Sequence, residues 1–91
     1  MATAGKLRLS LVAPGCELYS GEVDQVIAPG SEGQFGVLAG HAPFMTTLTE
    51  GEVTVLDGGT RRVFTVRGGF ADVTPQGLTI LAESATEAAA A

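Results

Sequence analysis

EVTVLDGGTRRVFTVR, residues 52–67, sets the fold class of this chain. Two runs rich in β-branched and aromatic residues, Glu52-Val53-Thr54-Val55-Leu56 and Arg61-Arg62-Val63-Phe64-Thr65-Val66-Arg67, flank Asp57-Gly58-Gly59-Thr60. Side chains that alternate with a period of two stand on opposite faces of a strand, and a Gly-rich break between two such runs is the signal of a tight turn. The stretch predicts a β-hairpin.

The same pattern recurs on both sides. In Lys6-Leu7-Arg8-Leu9-Ser10-Leu11 the leucines fall on one face and the polar residues on the other. Residues 22–28 begin polar and end apolar before Pro29, and residues 70–74 and 78–82, around Pro75-Gln76-Gly77, read as a second hairpin. Shorter strand candidates lie at residues 16–20, 34–38 and 44–48. Gly68-Gly69, between two strand runs, marks a bulge or a crossover where one strand leaves its sheet. Turn signals arrive about every eight to twelve residues, the spacing of a small all-β sandwich or barrel. No helix of useful length is expected before residue 83. The end, Ser84-Ala85-Thr86-Glu87 and four alanines, has helix-compatible composition but falls short of an isolated helix, so it is expected to fray. The expected organisation is a flexible N-terminus at residues 1–5, one β domain over 6–85, and a frayed or disordered tail at 86–91.

Length and charge remove several function classes. Ninety-one residues hold one domain, and 45% apolar content argues against disorder. No apolar run is long enough to span a bilayer as a helix, and the opening MATAGK lacks the apolar core of a secretory signal. A net charge of −5 disfavours nucleic acid and anionic lipid, which call for clustered Lys and Arg. One cysteine and one histidine exclude an internal disulfide framework and argue against a zinc site within the chain. The acidic residues Glu17, Glu22, Asp24, Glu50 and Glu52 have no metal-loop spacing. Arg61, Arg62 and Arg67 form a small basic group on one hairpin, either a solvated face or a salt-bridged interface.

The densest unusual run is GSEGQFGVLAGHAPF, residues 30–44. His41 as a general base would need an orienting carboxylate and a nucleophile, and no nucleophile motif surrounds Cys16 or the serines. The glycines lack the Gly-Lys-Ser/Thr ending of a phosphate loop, and Glu32 would repel phosphate. Ala42 precedes Pro43 and is therefore extended, which makes Gly40-His41-Ala42-Pro43 a rigid corner suited to contact. Phe44 and Met45 serve as core or as apolar interface, with at least one expected inside. A lipoyl or biotinyl carrier would need a lysine at a hairpin tip, whereas the single lysine, Lys6, begins the first strand. The residues by themselves point to binding rather than catalysis.

Four segments, in order, resemble the epsilon subunit of F-type ATP synthases (delta in mitochondria). They are residues 6–12 with Glu17-Leu18-Tyr19-Ser20-Gly21-Glu22-Val23; residues 30–43; Gly68-Gly69-Phe70-Ala71-Asp72-Val73; and residues 78–85. The resemblance implies a flattened β-sandwich of about ten strands. It further implies a non-catalytic rotor subunit without cofactor or metal, which binds the gamma subunit and the c-ring and couples proton-driven rotation to ATP synthesis. Such a subunit is bacterial and peripheral on the cytoplasmic face of the inner membrane. Carried over by motif, Ser31, Glu32, Gly33, Gln34 and His41 would meet the c-ring, and His41, Pro43 and Thr46 would face gamma. The family often has Glu where this chain has Gln34, so an ion pair there would become a neutral hydrogen bond. Many relatives continue into a C-terminal helical hairpin that inhibits ATP hydrolysis and in some species binds ATP. Here the sequence stops soon after Ala85, as a naturally short form or a truncated one; if it is naturally short, neither helix-mediated inhibition nor ATP binding is expected.

Overall fold

The hairpin predicted over residues 52–67 forms the centre of the sheet. In the computed structural model, which describes residues 6–40 and 43–87, β5 (Phe44–Asp57) and β6 (Thr60–Thr74) pair antiparallel, and Asp57 sits opposite Thr60. Gly58 and Gly59 form the two-residue turn with φ of 58° and 87°, the two positive values that a twist-matched hairpin turn needs. Six further strands surround this pair: β1 (Leu7–Ala13), β2 (Cys16–Val23), β3 (Gln25–Gly30), β4 (Gly33–Leu38), β7 (Gly77–Ala82) and β8 (Ala85–Glu87). Hydrogen bonding orders them β2-β1-β7-β6-β5-β3-β4, with β8 also paired to β6. Every neighbouring pair is antiparallel except β1 and β7, which run parallel from Leu9↔Leu78 to Val12↔Leu81.

The fold is the expected all-β sandwich, built among the described residues from eight strands rather than about ten. The difference is continuity. Residues 44–48 and 52–56 belong to one strand, β5, and residues 61–67 and 70–74 to one strand, β6. Their pairing keeps a single register from Phe44↔Val73 to Asp57↔Thr60, so no residue is inserted at Gly68-Gly69 and that site is not a bulge between β5 and β6. What changes there is the inward face. On β6 the buried residues are Phe64 and Val66 on one side of the glycines and Ala71 and Val73 on the other, and on β5 they switch between Leu48 and Val53. An alternating strand can switch inward parity without an extra residue only by bending. Gly68 and Gly69, with φ of 82° and 127°, provide the bend in β6. At the same line β6 leaves β7 and takes up β8, while the Arg67 N–H donates to Ser84 C=O (2.9 Å) and the Glu83 N–H to Gly68 C=O (3.2 Å). Three adjacent strands thus share one crease.

The crease folds the sheet around a single core. Leu9, Leu11, Val23, Val26, Val37, Val53, Phe64, Val66 and Ile80 are fully enclosed, and the cluster draws on β1 to β7. Tyr19 of β2 meets Phe64 of β6 edge to face at 6.2 Å between ring centroids, across the fold from the hydrogen-bonded neighbours of each. The end of the chain departs from expectation at Ala85–Glu87, which pair with Phe64–Val66 as β8 instead of fraying. The physical reason is a tether. Arg62 Nε and Nη2 donate to the two carboxylate oxygens of Glu87 at 2.7 and 2.8 Å, and the guanidinium lies over the rings of Tyr19 and Phe64 at 4.9 and 5.4 Å. Arg62 is thus salt-bridged, and so is Arg67, to Glu50 at 3.5 Å.

Candidate functional site

Ser31, Glu32, Gly33 and Gln34 lie at one exposed tip, the β3–β4 hairpin, where the two-residue turn Ser31-Glu32 joins Gly30 to Gly33. This tip is fastened to β5. The Ser31 N–H donates to Thr47 C=O at 3.0 Å, and the Thr47 hydroxyl donates to Ser31 Oγ at 2.9 Å. Pro29 sits where the β3–β5 register shifts, between Ile27 and Gly30, the kind of irregularity at which a strand tolerates a missing N–H. Its carbonyl accepts from Thr49 Oγ1 at 3.3 Å. The turn is held in position rather than left to wander.

Thr46 comes to the same place. Between the hairpin tip and the start of β5 lies an open depression of about 370 Å³, lined by Gly30, Glu32, Gly33, Gln34, Phe35, Phe44, Met45 and Thr46. The residues expected to meet two different partners, Glu32 and Gln34 on one hand and Thr46 on the other, therefore share one surface. Pro43 is exposed at the edge of β5, and His41 lies outside the described residues. Phe44 is packed against the core and stacks edge-on with Phe35 at 5.4 Å, while Met45 turns outward and is 65% exposed. That divides the pair: Phe44 is half-buried against the core, and Met45 is surface.

The sequence reading missed the continuation of the depression. Phe70 and Leu81 are 52% and 53% exposed and stand opposite each other on β6 and β7, and Leu81 is in turn opposite Val12 of β1. Met45 faces Asp72, two residues along from Phe70, so it lies diagonal to Phe70 on the same outer face. An apolar strip of this kind marks a contact surface more often than isolated exposed side chains do. Alternation gives these residues a face, but which face is outside depends on the crease.

Electrostatic order lies away from this tip. Lys6 Nζ bridges Asp24, at 2.9 Å, and Asp57, and the Gly58 N–H donates to Asp24 Oδ2 at 2.7 Å. The hydrogen bonds to Asp57 and then Asp24 raise the Lys6 pKa; the Gly58 N–H and then Lys6 lower that of Asp24. Glu87 is likewise lowered by its hydrogen bonds from Arg62. Nothing in the linear spacing of Lys6, Asp24 and Asp57 announced this cluster. Cys16 is exposed at the start of β2. Among the described residues no three His, Cys, Asp or Glu side chains are grouped as metal ligands, and no helix is long and apolar enough to cross a membrane.

Comparison with known proteins gives a consistent result. The family model described as ATP synthase, Delta/Epsilon chain, beta-sandwich domain matches residues 6–88. An ATP synthase epsilon chain of Caulobacter vibrioides is 73% identical over 84 residues, covering 92% of this chain and 98% of that one. An ATP synthase epsilon chain of Hyphomonas neptunium is 69% identical over 83 residues, covering 90% of this chain but only 62% of its own length. Among solved structures, a chain of the cryo-EM structure of Euglena gracilis mitochondrial ATP synthase (OSCP/F1/c-ring) superposes with a TM-score of 0.87 at 26% identity, over 96% of this chain and 56% of that one. A chain of the Tetrahymena thermophila mitochondrial ATP synthase central stalk/c-ring structure superposes at 0.75 over 93% of this chain and 69% of that one, and at 15% identity it speaks for the fold alone.

Proposed function

This chain belongs to the delta/epsilon family of ATP synthase subunits, and from that premise we propose that it is a non-catalytic central-stalk subunit that binds the gamma subunit and the c-ring. In this role it couples proton-driven rotation to ATP synthesis and rides on the cytoplasmic face of the bacterial inner membrane through the complex, without inserting into it. The observation that carries the reading is the gathering of Glu32, Gly33, Gln34 and Thr46 around one open depression, with Ser31 bonded to Thr47 beside it.

The roles divide by chemistry. The Ser31–Gln34 tip offers hydroxyl, carboxylate, main-chain and carboxamide groups to the polar loops of the ring, and Glu32 alone carries charge there. Gln34 offers a neutral hydrogen bond. Pro43 and Thr46, with exposed Met45, Phe70 and Leu81, meet gamma, and His41, outside the described residues, is assigned to both contacts by its motif alone. An apolar strip beside a polar tip suits a subunit wedged between a shaft and a ring, because desolvation holds the shaft contact and directional bonds fix the ring register. The rest of the domain transmits load. A close-packed core, and a crease pinned by main-chain hydrogen bonds at Gly68 and Ser84, resist bending between the two contacts.

Co-expression with the same genome's gamma subunit, followed by size-exclusion chromatography, tests the reading. A stable complex is expected at micromolar concentration, and Met45→Asp weakens it by about tenfold or more, as burial of an added charge at an interface requires. In inverted membrane vesicles, Glu32→Lys lowers the protons pumped per ATP hydrolysed. Absence of a gamma complex with the unaltered chain overturns the proposal.

A further inference from the structure

The sheet has open ends, and they are not protected alike. β2, at one end of the order, carries Glu17 and Glu22, and its pairing with β1 is irregular between Leu11 and Val12. β8 has three residues, and its Glu87 is tied to Arg62. Charge, irregularity and shortness are the devices by which natural sheets stop an edge from pairing with another chain. β4, at the opposite end, has none of them. Gly33-Gln34-Phe35-Gly36-Val37-Leu38 has no charge and no proline, and its register with β3 is unbroken from Gln25↔Leu38 to Gly30↔Gly33.

The hairpin geometry fixes which groups this edge presents. A two-residue turn makes Gly30↔Gly33 a hydrogen-bonded pair, and antiparallel pairs then alternate. Phe35 and Val37 spend their main-chain groups on β3, whereas those of Gln34, Gly36 and Leu38 point away from it. Pro29, opposite Gln34, fits this assignment, since a non-bonded position needs no N–H. Among the described residues no other strand bonds to β4. Depressions adjoin both ends of the edge, one at Gln34, Phe35 and Met45, the other at Leu38, Ala39 and Gly40. Leu38 itself is 53% exposed.

We propose that the outer edge of β4 takes up an extended segment of a partner polypeptide as an added strand. Main-chain bonds to Gln34, Gly36 and Leu38 supply the pairing, and the two depressions read side chains at its ends. The segment lacks proline, places an apolar side chain against Phe35 and Met45, and carries Lys or Arg beside Glu32, which no cation neutralises among the described residues and which belongs to a chain of net charge −5. This goes beyond the side-chain contacts proposed above, because strand addition is carried by backbone and does not depend on the roles of Ser31 or Thr46.

Residue-resolved amide hydrogen exchange of the full chain tests it, alone at low micromolar concentration and then with the gamma subunit or the c-ring of the same genome. With one of them, the amides of Gln34, Gly36 and Leu38 exchange at least about tenfold more slowly, while Phe35 and Val37, already bonded to β3, do not change. Leu38→Lys, which adds the missing guard charge, and Gly36→Pro, which deletes an outward N–H, each weaken that binding at least about tenfold, and for Leu38→Lys the melting temperature stays unchanged. Binding with no slowing at the three amides overturns the proposal and leaves the proposed function standing. No binding to either protein overturns both. Slowing that grows with the chain's own concentration assigns the edge to a second copy and overturns it as well.

Discussion

Phe64 is the largest fully enclosed side chain among the described residues. It meets Tyr19 edge-on and has the Arg62 guanidinium above its ring. Phe64→Ala should cost about 3–5 kcal/mol by urea denaturation, through lost transfer energy and the cavity left behind. Charged residues act differently, because they are exposed and titrate. Asp24 and Glu87 have folded-state pKa values held below their ordinary ones, so each binds protons more weakly in the fold than in the unfolded chain. Their contribution is complete above the unfolded values and disappears as pH falls through the folded ones, that is, from about pH 4 downward. The melting temperature should therefore drop on acidification below that point, and less steeply in an Asp24→Asn, Glu87→Gln double variant. Lys6 works in the opposite sense. Its raised pKa leaves its contribution complete below the ordinary lysine value, and that contribution is lost only as pH rises above it. The partners of Arg62 and Lys6 were hidden in the sequence, since an ion pair between strands depends on register and on which strands become neighbours.

At the scale of the element, the two glycine pairs do different work, and the sequence distinguishes them only in part. Gly58 and Gly59 close a tight turn in open space, with no atom within contact of an added Cβ. Gly58→Asn should be neutral within about 0.5 kcal/mol, because Asn tolerates the left-handed turn and its N–H still reaches Asp24. Gly69 lies in the crease with φ of 127°, and a Cβ there would stand 2.1 Å from the Leu81 carbonyl oxygen. Gly69→Ala should destabilise by about 2–4 kcal/mol, read as a lower melting temperature and urea midpoint. Both predicted hairpins and the nine candidate segments were legible in the sequence, whereas β8 was not. That residues 44–48 and 52–56 form one strand, and residues 61–67 and 70–74 another, was not. Alternation changes parity in the same way at a bulge, at a strand break or at a bend, and only the uninterrupted pairing of β5 with β6 tells the three apart.

For the whole molecule, the decisive contact is the parallel pairing of β1 with β7, which brings Leu9 beside Leu78 and joins the two ends of the described chain. Closing so long a loop before it is rewarded by contacts is slow, so refolding after stopped-flow dilution from urea should take milliseconds to seconds, about the range of all-β domains. A Leu9→Ala variant should retain the β5–β6 hairpin pattern in its residual exchange protection while the global transition moves to lower urea, because that hairpin is local and the β1–β7 pairing is not. The candidate site follows the same division. Its tip was readable only as a gap, since the strand candidates at residues 22–28 and 34–38 leave Gly30-Ser31-Glu32-Gly33 between them as the connection. Its union with Thr46, the outward turn of Met45 and the strip through Phe70 and Leu81 arise only when β3 docks on β5 and the crease fixes the outer face. By itself the sequence determined strand periodicity, turn positions and the class of fold, because these depend on residues adjacent along the chain. The tertiary structure alone decided which strands are continuous, which ion pairs form, which apolar residues face solvent and which edge stays open, because each depends on partners that only long-range packing brings together.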